Sequence, residues 1–203
     1  MGTLAEAAAS LKRAAGSTLP ALVLMTDEAR LPDPLPAAGA LPAGSAVILR
    51  HYGAPGRAAL ARHLAAIARR RGLLLLVGED PALARCVGAA GVHLPERALR
   101  RARAVRWRGD WLVTAAAHSH ASLHAAAACG ADAVLLSPVL ATASHPDIRP
   151  LGPRRFAALA RTSPVPVYAL GGIDGTHARI LRGSGAVGIA GIGGLIPERL
   201  NRP

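Results

Sequence analysis

The sequence predicts a single α/β domain that folds as a (β/α)8 barrel, a TIM barrel of minimal length. Eight short apolar runs rich in branched residues recur along the 203 residues. The spacing between them leaves room for one helix each, the pattern of βα units around a parallel sheet. Most runs are apolar at every position, as expected for strands that are covered on both faces. Barrels of this type have about 250 residues, with a lower limit near 200, so the chain has room for one barrel with short loops.

The predicted elements follow one another evenly along the chain. The strands cover residues 21–25, 46–49, 73–77, 91–93, 111–115, 133–136, 165–169 and 186–190. A short N-terminal helix is expected over about 3–15, and residues 1–203 are taken as one barrel domain. Between the strands, segments such as 57–71 and 119–129 repeat apolar residues every three or four positions, the period of an amphipathic helix. The segment 30–44 is rich in Pro and Gly, so its helix is expected to be short or missing.

An open, doubly wound sheet is the alternative architecture. Its nucleotide-binding form needs the pattern G-x-G-x-x-G after the first strand. Here the first strand runs into Thr26, Asp27 and Glu28. The glycine-rich stretch 185–194 lies at the far end of the chain, which favours the terminal phosphate site of a barrel.

The composition narrows the class of protein. Hydrophobic residues make up 51% of the chain, which is enough to build a core and excludes a disordered protein. The longest apolar run, 73–77, is too short to span a bilayer, and the N-terminus lacks the ordered regions of a secretory signal. We therefore expect a cytoplasmic protein without a membrane partner, and the sequence leaves open whether it forms a homo-oligomer. Cys86 and Cys129 lack the spacing of a zinc site or disulfide framework, so both are predicted to be buried free thiols.

The formal net charge of +12 comes almost entirely from arginine, because Lys12 is the only lysine. A basic chain of this kind invites a nucleic-acid interpretation. The arginines, however, are dispersed along predicted outer helices, and the few aromatic residues do not alternate with them as a base-stacking platform requires. We therefore expect no nucleic-acid partner. Phosphorylated small molecules are the partners that suit the positive electrostatic field of this chain.

Functional residues of a barrel follow the carboxyl ends of its strands. Glycines at such ends let backbone N–H groups approach an anion, and the loops after the seventh and eighth strands form the recurrent phosphate site. The alternative is that Gly171 and Gly172 only make a tight turn. Strand-end positions include Arg50, Glu79 and His118, for which the family resemblance given below implies catalysis. Besides Gly171 and Gly172, the positions for which it implies binding of substrate or phosphate are Thr142, Ser144, His145, Ala190 and Gly191.

Several motifs, in their order and spacing, resemble the thiamine phosphate synthases and their relatives the thiazole tautomerases. They are LVLMTD at 22–27, ILR at 48–50, GAAGVHL at 88–94, AHS at 117–119, CGADAV at 129–134, SPVLAT at 137–142 and VPVYALGGI at 165–173. The resemblance implies a barrel that displaces pyrophosphate from a pyrimidine methyl pyrophosphate with the ring nitrogen of a thiazole phosphate. The product is thiamine phosphate.

The resemblance also carries over to single positions. The family motif Gln-x-Arg-x-Lys, whose cations hold pyrophosphate, falls here on Ile48, Arg50 and Tyr52. The Asn-Asp pair that ends the third strand falls on Gly78 and Glu79. Since a later family Asp falls near Ala98, Glu79 is the one carboxylate left for the Mg²⁺ that the family uses, with Glu96 close enough to substitute after a small loop shift.

Further departures affect the remaining loops. After the fifth strand, His118 is retained, with capping or packing as its alternative role to ligand contact, but a family serine is Ala116. The loop after the sixth strand resembles the loop that holds pyrophosphate in the family. Within it, His145 stands where the family has lysine. At the eighth strand, Gly191 replaces a serine but keeps its N–H group. The histidine that marks the tautomerase branch is Pro138 here, which argues against tautomerase activity of the family type unless His118 or His145 reaches the same proton.

Two functions are compatible with these features of the sequence. The first is a thiamine phosphate synthase-like enzyme with an incomplete metal and pyrophosphate site. The second is a catalytically degenerate barrel that binds a thiazole phosphate or a related metabolite as a carrier, sensor or partner subunit. A metal site at His120 and His124 is a further option, but a solvated helix face is favoured because the pattern supplies no third ligand.

Overall fold

All eight predicted strands form in the computed structural model, which describes residues 3–102, 107, 109–142, 149–192 and 195. The strands are parallel and pair in chain order, and β8 pairs with β1 to close a barrel. They are β1 (Leu22–Met25), β2 (Ala46–Leu49), β3 (Leu74–Gly78), β4 (Gly91–Leu94), β5 (Leu112–Ala117), β6 (Ala133–Leu136), β7 (Val167–Leu170) and β8 (Ala186–Gly191). The (β/α)8 class is therefore confirmed.

Helices cover the outside of the strands. They are α1 (Leu4–Ala14), α2 (Leu35–Ala40), α3 (Arg57–Arg71), α4 (Pro81–Val87), α5 (Leu99–Ala102), α6 (His120–Ala128) and α7 (Gly152–Thr162). Helix α3 has the predicted bounds, α1 occupies the predicted N-terminal segment, and α2 is short as expected. Two 3₁₀ turns, Glu96–Ala98 and Ala178–Leu181, follow β4 and β7.

Local signals explain where the helices begin and end. Thr3 and Glu6 form a capping box at the start of α1, which satisfies backbone N–H groups that have no partner inside the helix. Asp80 caps α4 by accepting from the N–H of Leu83 at 2.8 Å. Gly72 and Gly88 end α3 and α4 in the left-handed conformation, which glycine adopts without steric cost.

The core has two layers, because alternate residues of each strand point into the barrel or out to the helices. The inner layer is small and includes Val23, Ile48, Leu76 and Leu135. Tyr168 is the largest fully buried side chain, and its hydroxyl donates to the Pro20 carbonyl at 2.7 Å. The outer layer, between sheet and helices, is built mainly from Ala, Leu and Val. The barrel interior is thus packed, and its functional surface is the rim at the carboxyl ends of the strands.

The prediction for the two cysteines was half wrong. Cys129 is buried, and its thiol donates to the Leu99 carbonyl at 2.8 Å. Cys86 is exposed, because α4 turns Ala84 and Val87 to the core and Cys86 away from it. The periodicity of a seven-residue helix was too short to assign that face from sequence.

Exposed arginines lie on α3, α4, α5 and α7, as predicted for the outer helices. Among the described residues, no helix is both long and apolar enough to cross a membrane.

Candidate functional site

The loops after β1 and β2 hold Arg50 at the rim. The buried hydroxyl of Thr26 accepts from the backbone N–H of Arg50 at 2.9 Å and shares a 2.8 Å hydrogen bond with His51 Nδ1. The Arg50 guanidinium lies 3.9 Å from the Asp27 carboxylate. Arg30 bonds the same carboxylate at 2.8 Å, and its hydrogen bonds lower the pKa of Asp27. Arg50 is therefore fixed through its backbone, while its side chain stays partly open to a ligand.

Tyr52 lies close to two cations. The guanidinium carbons of Arg57 and Arg97 are 5.6 and 5.4 Å from the centre of its ring, within the range of cation–π attraction. Partial burial raises the pKa of Tyr52, whereas the positive charges of Arg50 and Arg97 act in the opposite direction. The phenol therefore stays neutral at physiological pH, with positive charge around it.

Glu79 follows β3 in an unusual backbone conformation. Its φ of 56° is the one positive value at a non-glycine residue within the described part of the chain. The left-handed region is costly for a residue with a side chain, so its occurrence at a strand end is typical of functional positions. The Glu79 N–H donates to the His93 carbonyl at 3.0 Å, and its carboxylate accepts a hydrogen bond from the guanidinium of Arg97. The sharp turn thus aims the carboxylate at Arg97.

The other carboxylates near Glu79 also have hydrogen-bond or ion-pair partners. Asp80 caps α4 and lies 3.3 Å from Arg57. Glu96 is hydrogen-bonded to His118 Nδ1 at 2.5 Å. In the part of the chain that the structure describes, no three His, Cys, Asp or Glu side chains group closely enough to hold a metal ion. Magnesium is usually held by one or two carboxylates together with waters and substrate phosphates, and the Glu79 carboxylate that would serve here is engaged by Arg97. The arrangement of side chains around Glu79 therefore fits an ion pair better than a metal ligand.

His118 does not join Arg50 and Glu79. It links the loop after β5 to the 3₁₀ turn after β4 through Glu96, and its own backbone N–H donates to Ser122 Oγ at 3.0 Å. Ser119, rather than His118, caps α6. His120 and His124 stack with ring centres 4.5 Å apart on α6, and the described residues supply no third ligand there.

His93 lies inside the barrel beneath this part of the rim. It is 1% exposed, and its Nδ1 shares a 2.9 Å hydrogen bond with Thr114 Oγ1. Burial, aided by the charge of Arg50, lowers the pKa of His93 to about 3. The imidazole is therefore neutral across the physiological range.

The glycines after β7 are required by packing. Gly171 and Gly172 have φ values of 98° and 68°. A Cβ on Gly172 would lie 2.4 Å from the Ala141 carbonyl oxygen, and one on Gly171 would lie 2.9 Å from Pro138 Cα. The Leu140 N–H donates to the Gly171 carbonyl at 3.1 Å. The tight packing of this turn thus accounts for both glycines, and their assignment to a phosphate stays a prediction.

The other proposed phosphate contacts have separate positions. Ala190 is buried within β8 and pairs with both β1 and β7. Gly191 is the last residue of that strand and is half-buried at the rim. Thr142 follows the loop after β6 and has a polar partner. Ser144 and His145 lie outside the described residues.

Two residues at this rim, Arg57 and Arg97, were not among the predicted candidates. Arg57 is the first residue of α3 and reaches back to the Gly78 carbonyl at 2.5 Å. Arg97 lies in the 3₁₀ turn after β4. The sequence feature that could have identified them is an arginine in the first helical turn after a strand, because that turn starts at the rim of the barrel.

Comparison with known proteins agrees with this geometry. Residues 23–195 match the family model described as thiamine monophosphate synthase. The chain is 38% identical over 133 residues to a putative thiamine-phosphate synthase 2 of Aquifex aeolicus, covering 66% of this chain and 72% of that protein. It is 34% identical over 165 residues to a putative thiamine-phosphate synthase of Geobacter sulfurreducens, covering 79% and 78%.

A solved structure is similar over nearly the whole barrel. Thiamine phosphate pyrophosphorylase from Pyrococcus furiosus superimposes with a TM-score of 0.71 at 25% identity, covering 89% of each chain. The family match includes all eight strands except the first residue of β1. The chain therefore belongs to the thiamine monophosphate synthase family.

Proposed function

We propose that this protein makes thiamine phosphate by joining a hydroxymethylpyrimidine pyrophosphate to a thiazole phosphate, with loss of pyrophosphate. The family match over residues 23–195, with Arg50 retained at the rim, carries the proposal. The names of the relatives favour an enzyme of thiamine biosynthesis over a barrel that only binds. Substrates of this charge do not cross membranes unaided, so the reaction belongs in the cytoplasm.

The reaction requires stabilisation of the charge on the leaving group rather than proton transfer at the reacting carbon. The bond between the pyrimidine methylene carbon and a pyrophosphate oxygen breaks, and its electron pair leaves with the oxygen. The lone pair of the thiazole nitrogen then forms the new C–N bond. Positive groups must stabilise the leaving pyrophosphate, because negative charge grows on its oxygen.

Arg50 is suited to that task. Its guanidinium can hold phosphate oxygens through two parallel hydrogen bonds, and the Thr26 hydroxyl fixes its backbone. We assign the backbone N–H groups of Gly171, Gly172, Ala190 and Gly191 to the phosphate of the thiazole. The resemblance assigns Thr142, Ser144 and His145 to the pyrophosphate.

His93 contributes by remaining uncharged. A cation next to the carbon that loses pyrophosphate would oppose the positive charge that develops there. The neutral imidazole, buried and hydrogen-bonded to Thr114, places no such charge beneath the rim.

The test is to incubate the purified protein with both substrates and to measure thiamine phosphate, with magnesium and with a chelator. Product formation that is lost in Arg50→Ala supports the proposal. No product, together with a higher melting temperature in thiazole phosphate alone, would favour the binding protein instead.

A further inference from the structure

We infer that the Glu79–Arg97 ion pair takes the place of a carboxylate-bound divalent cation, so that this rim binds a diphosphate without metal. The identity of the diphosphate as a substrate rests on the proposed function, whereas the anion site rests on the arrangement of side chains. The contacts of Arg97 and its neighbours support it.

Arg97 is held in place but remains accessible. Its guanidinium bonds the Glu79 carboxylate and lies over the Tyr52 ring, so two neighbours restrict it. Its side chain is nevertheless 64% exposed. A guanidinium has five N–H donors in a rigid plane, so donors that do not face Glu79 can bind phosphate oxygens.

Arg57 is a second cation near the same ring, 5.6 Å from its centre. Its side chain is 14% exposed, pairs with Asp80 at 3.3 Å and donates to the Gly78 carbonyl at 2.5 Å. Its Nε is buried and has no hydrogen-bond partner among the described residues. Tyr52 therefore contacts one shielded cation and one accessible cation, and the accessible one, Arg97, has donors available to an anion at this rim.

The formal charges support the substitution. In the pattern that the chain resembles, two carboxylates share one Mg²⁺, and their charges sum to zero. Here one carboxylate position holds Glu79 and the other falls near the uncharged Ala98, while Arg97 supplies one positive charge. Glu79 and Arg97 also sum to zero. The Glu79–Arg97 pair is therefore electrically balanced without a metal.

A metal ion at Glu79 would be opposed by this arrangement. It would have to displace Arg97 from the Glu79 carboxylate, because the guanidinium already occupies that ligand. The displaced guanidinium would also be a like charge beside the metal, and like charges repel each other. The pair and the metal are therefore alternatives at one place.

The experiment is calorimetric titration of the full chain with inorganic pyrophosphate, first in a chelator and then with excess magnesium. We expect binding in the chelator that magnesium does not strengthen. Arg97→Gln should weaken the metal-free affinity roughly tenfold or more, as expected for a lost charge-assisted hydrogen bond. Arg97→Lys keeps the charge but not the planar fork, so its affinity should lie between the two.

Glu79→Gln separates the two models by the direction of its effect. Removing the carboxylate leaves Arg97 fully available, so metal-free pyrophosphate binding should tighten. If Glu79 instead held a metal, the same variant would weaken binding in magnesium. Arg62→Gln, an equal loss of charge at an exposed position of α3, should leave affinity unchanged, and circular dichroism melts check that each variant is folded.

Several results would overturn the inference: binding that requires magnesium, no binding in either buffer, or Glu79→Gln and Arg97→Gln that weaken binding alike. Failure of the proposed function is a different result. Metal-free pyrophosphate binding without any thiamine phosphate production would contradict the function and leave the anion site in place. Binding and turnover that both depend on magnesium would support the proposed function and contradict the metal-free anion site.

Discussion

The ring of Tyr52 occupies the space that a side chain at position 78 would need. A Cβ on Gly78 would lie 2.9 Å from both Cε1 and Oη of Tyr52, and 2.9 Å from the Leu49 carbonyl oxygen. The two departures from the family motif at these positions are thus one structural feature. A large residue after β2 is accommodated because β3 ends in glycine.

Gly78→Ala tests that relationship. We expect the variant to lose about 1–3 kcal/mol of unfolding free energy, as for overpacking of a well-filled site. In a Tyr52→Ala background the loss should be smaller but not zero, because the Leu49 carbonyl remains in place. Urea unfolding of the single and double variants measures the coupling.

Gly39→Ala is the matched control for that cycle. Nothing lies within 4 Å of a Cβ at this position in α2, so the change should be neutral or should stabilise by up to ~1 kcal/mol. An equal penalty for Gly78→Ala with and without Tyr52 would contradict the packing relationship.

Arg50→Ala should impair turnover far more than folding. We expect kcat/KM for thiamine phosphate formation to fall by about 10²- to 10³-fold, as for loss of a group that stabilises charge in the transition state. Unfolding free energy should change by less than ~1 kcal/mol, because the side-chain contact with Asp27 is partly exposed. Steady-state kinetics and urea unfolding measure the two effects. An unchanged rate would remove Arg50 from the site, and Arg69→Ala on α3 controls for charge.

Gly172→Ala should disturb the packing between the loops after β6 and β7. A left-handed backbone costs a non-glycine residue about 1–2 kcal/mol, and the Cβ would also press on the Ala141 carbonyl oxygen at 2.4 Å. Gly183→Ala isolates the first effect, since its φ is 66° with nothing within 4 Å. Thermal unfolding should therefore show a larger loss for Gly172→Ala. Equal losses would mean that the loop moves freely.

His93 should make stability dependent on pH. Its pKa is about 3 in the folded protein and about 6.5 in an unfolded chain. Between these values only the unfolded chain binds the proton, so the free energy of unfolding falls as pH falls through this window. Above pH 6.5 the effect is absent. From pH 7 to pH 5 His93 should account for a loss of about 2 kcal/mol.

His93→Asn removes the titrating group and should flatten that part of the pH profile. His63→Gln, at an exposed position of α3, should retain the slope of the original protein. Urea unfolding at several pH values gives the comparison. A slope unaffected by His93→Asn would show that His93 titrates alike in both states.

The strands were predictable because most of them are apolar at every position. Strands β2 and β6 have the predicted bounds, and the others shift by one or two residues at their ends. The motif positions at Arg50 and Glu79 were also visible in the sequence. Their surroundings were not, because Arg97 meets Tyr52 and Arg57 only after the ends of β2 and β4 are brought to one rim.

For Glu79 too, the sequence revealed the position but not the contacts of its side chain. Its type indicated a metal ligand, but its carboxylate is engaged by an arginine from another loop. Spacing along the chain does not reveal such a competitor. The exposed Cys86 was missed for a local reason, since one short helix offers too few residues to define its buried face.

The closure of the sheet between β1 and β8 has a consequence for synthesis of the chain. During translation β1 emerges first, and the strand that covers its second edge is completed more than 150 residues later. Until then the growing sheet has unpaired backbone groups along that edge, which can pair with another chain. The rim as a whole is complete only once β8 is in place, so we expect nascent chains that stop before β8 to associate with chaperones and to lack pyrophosphate binding.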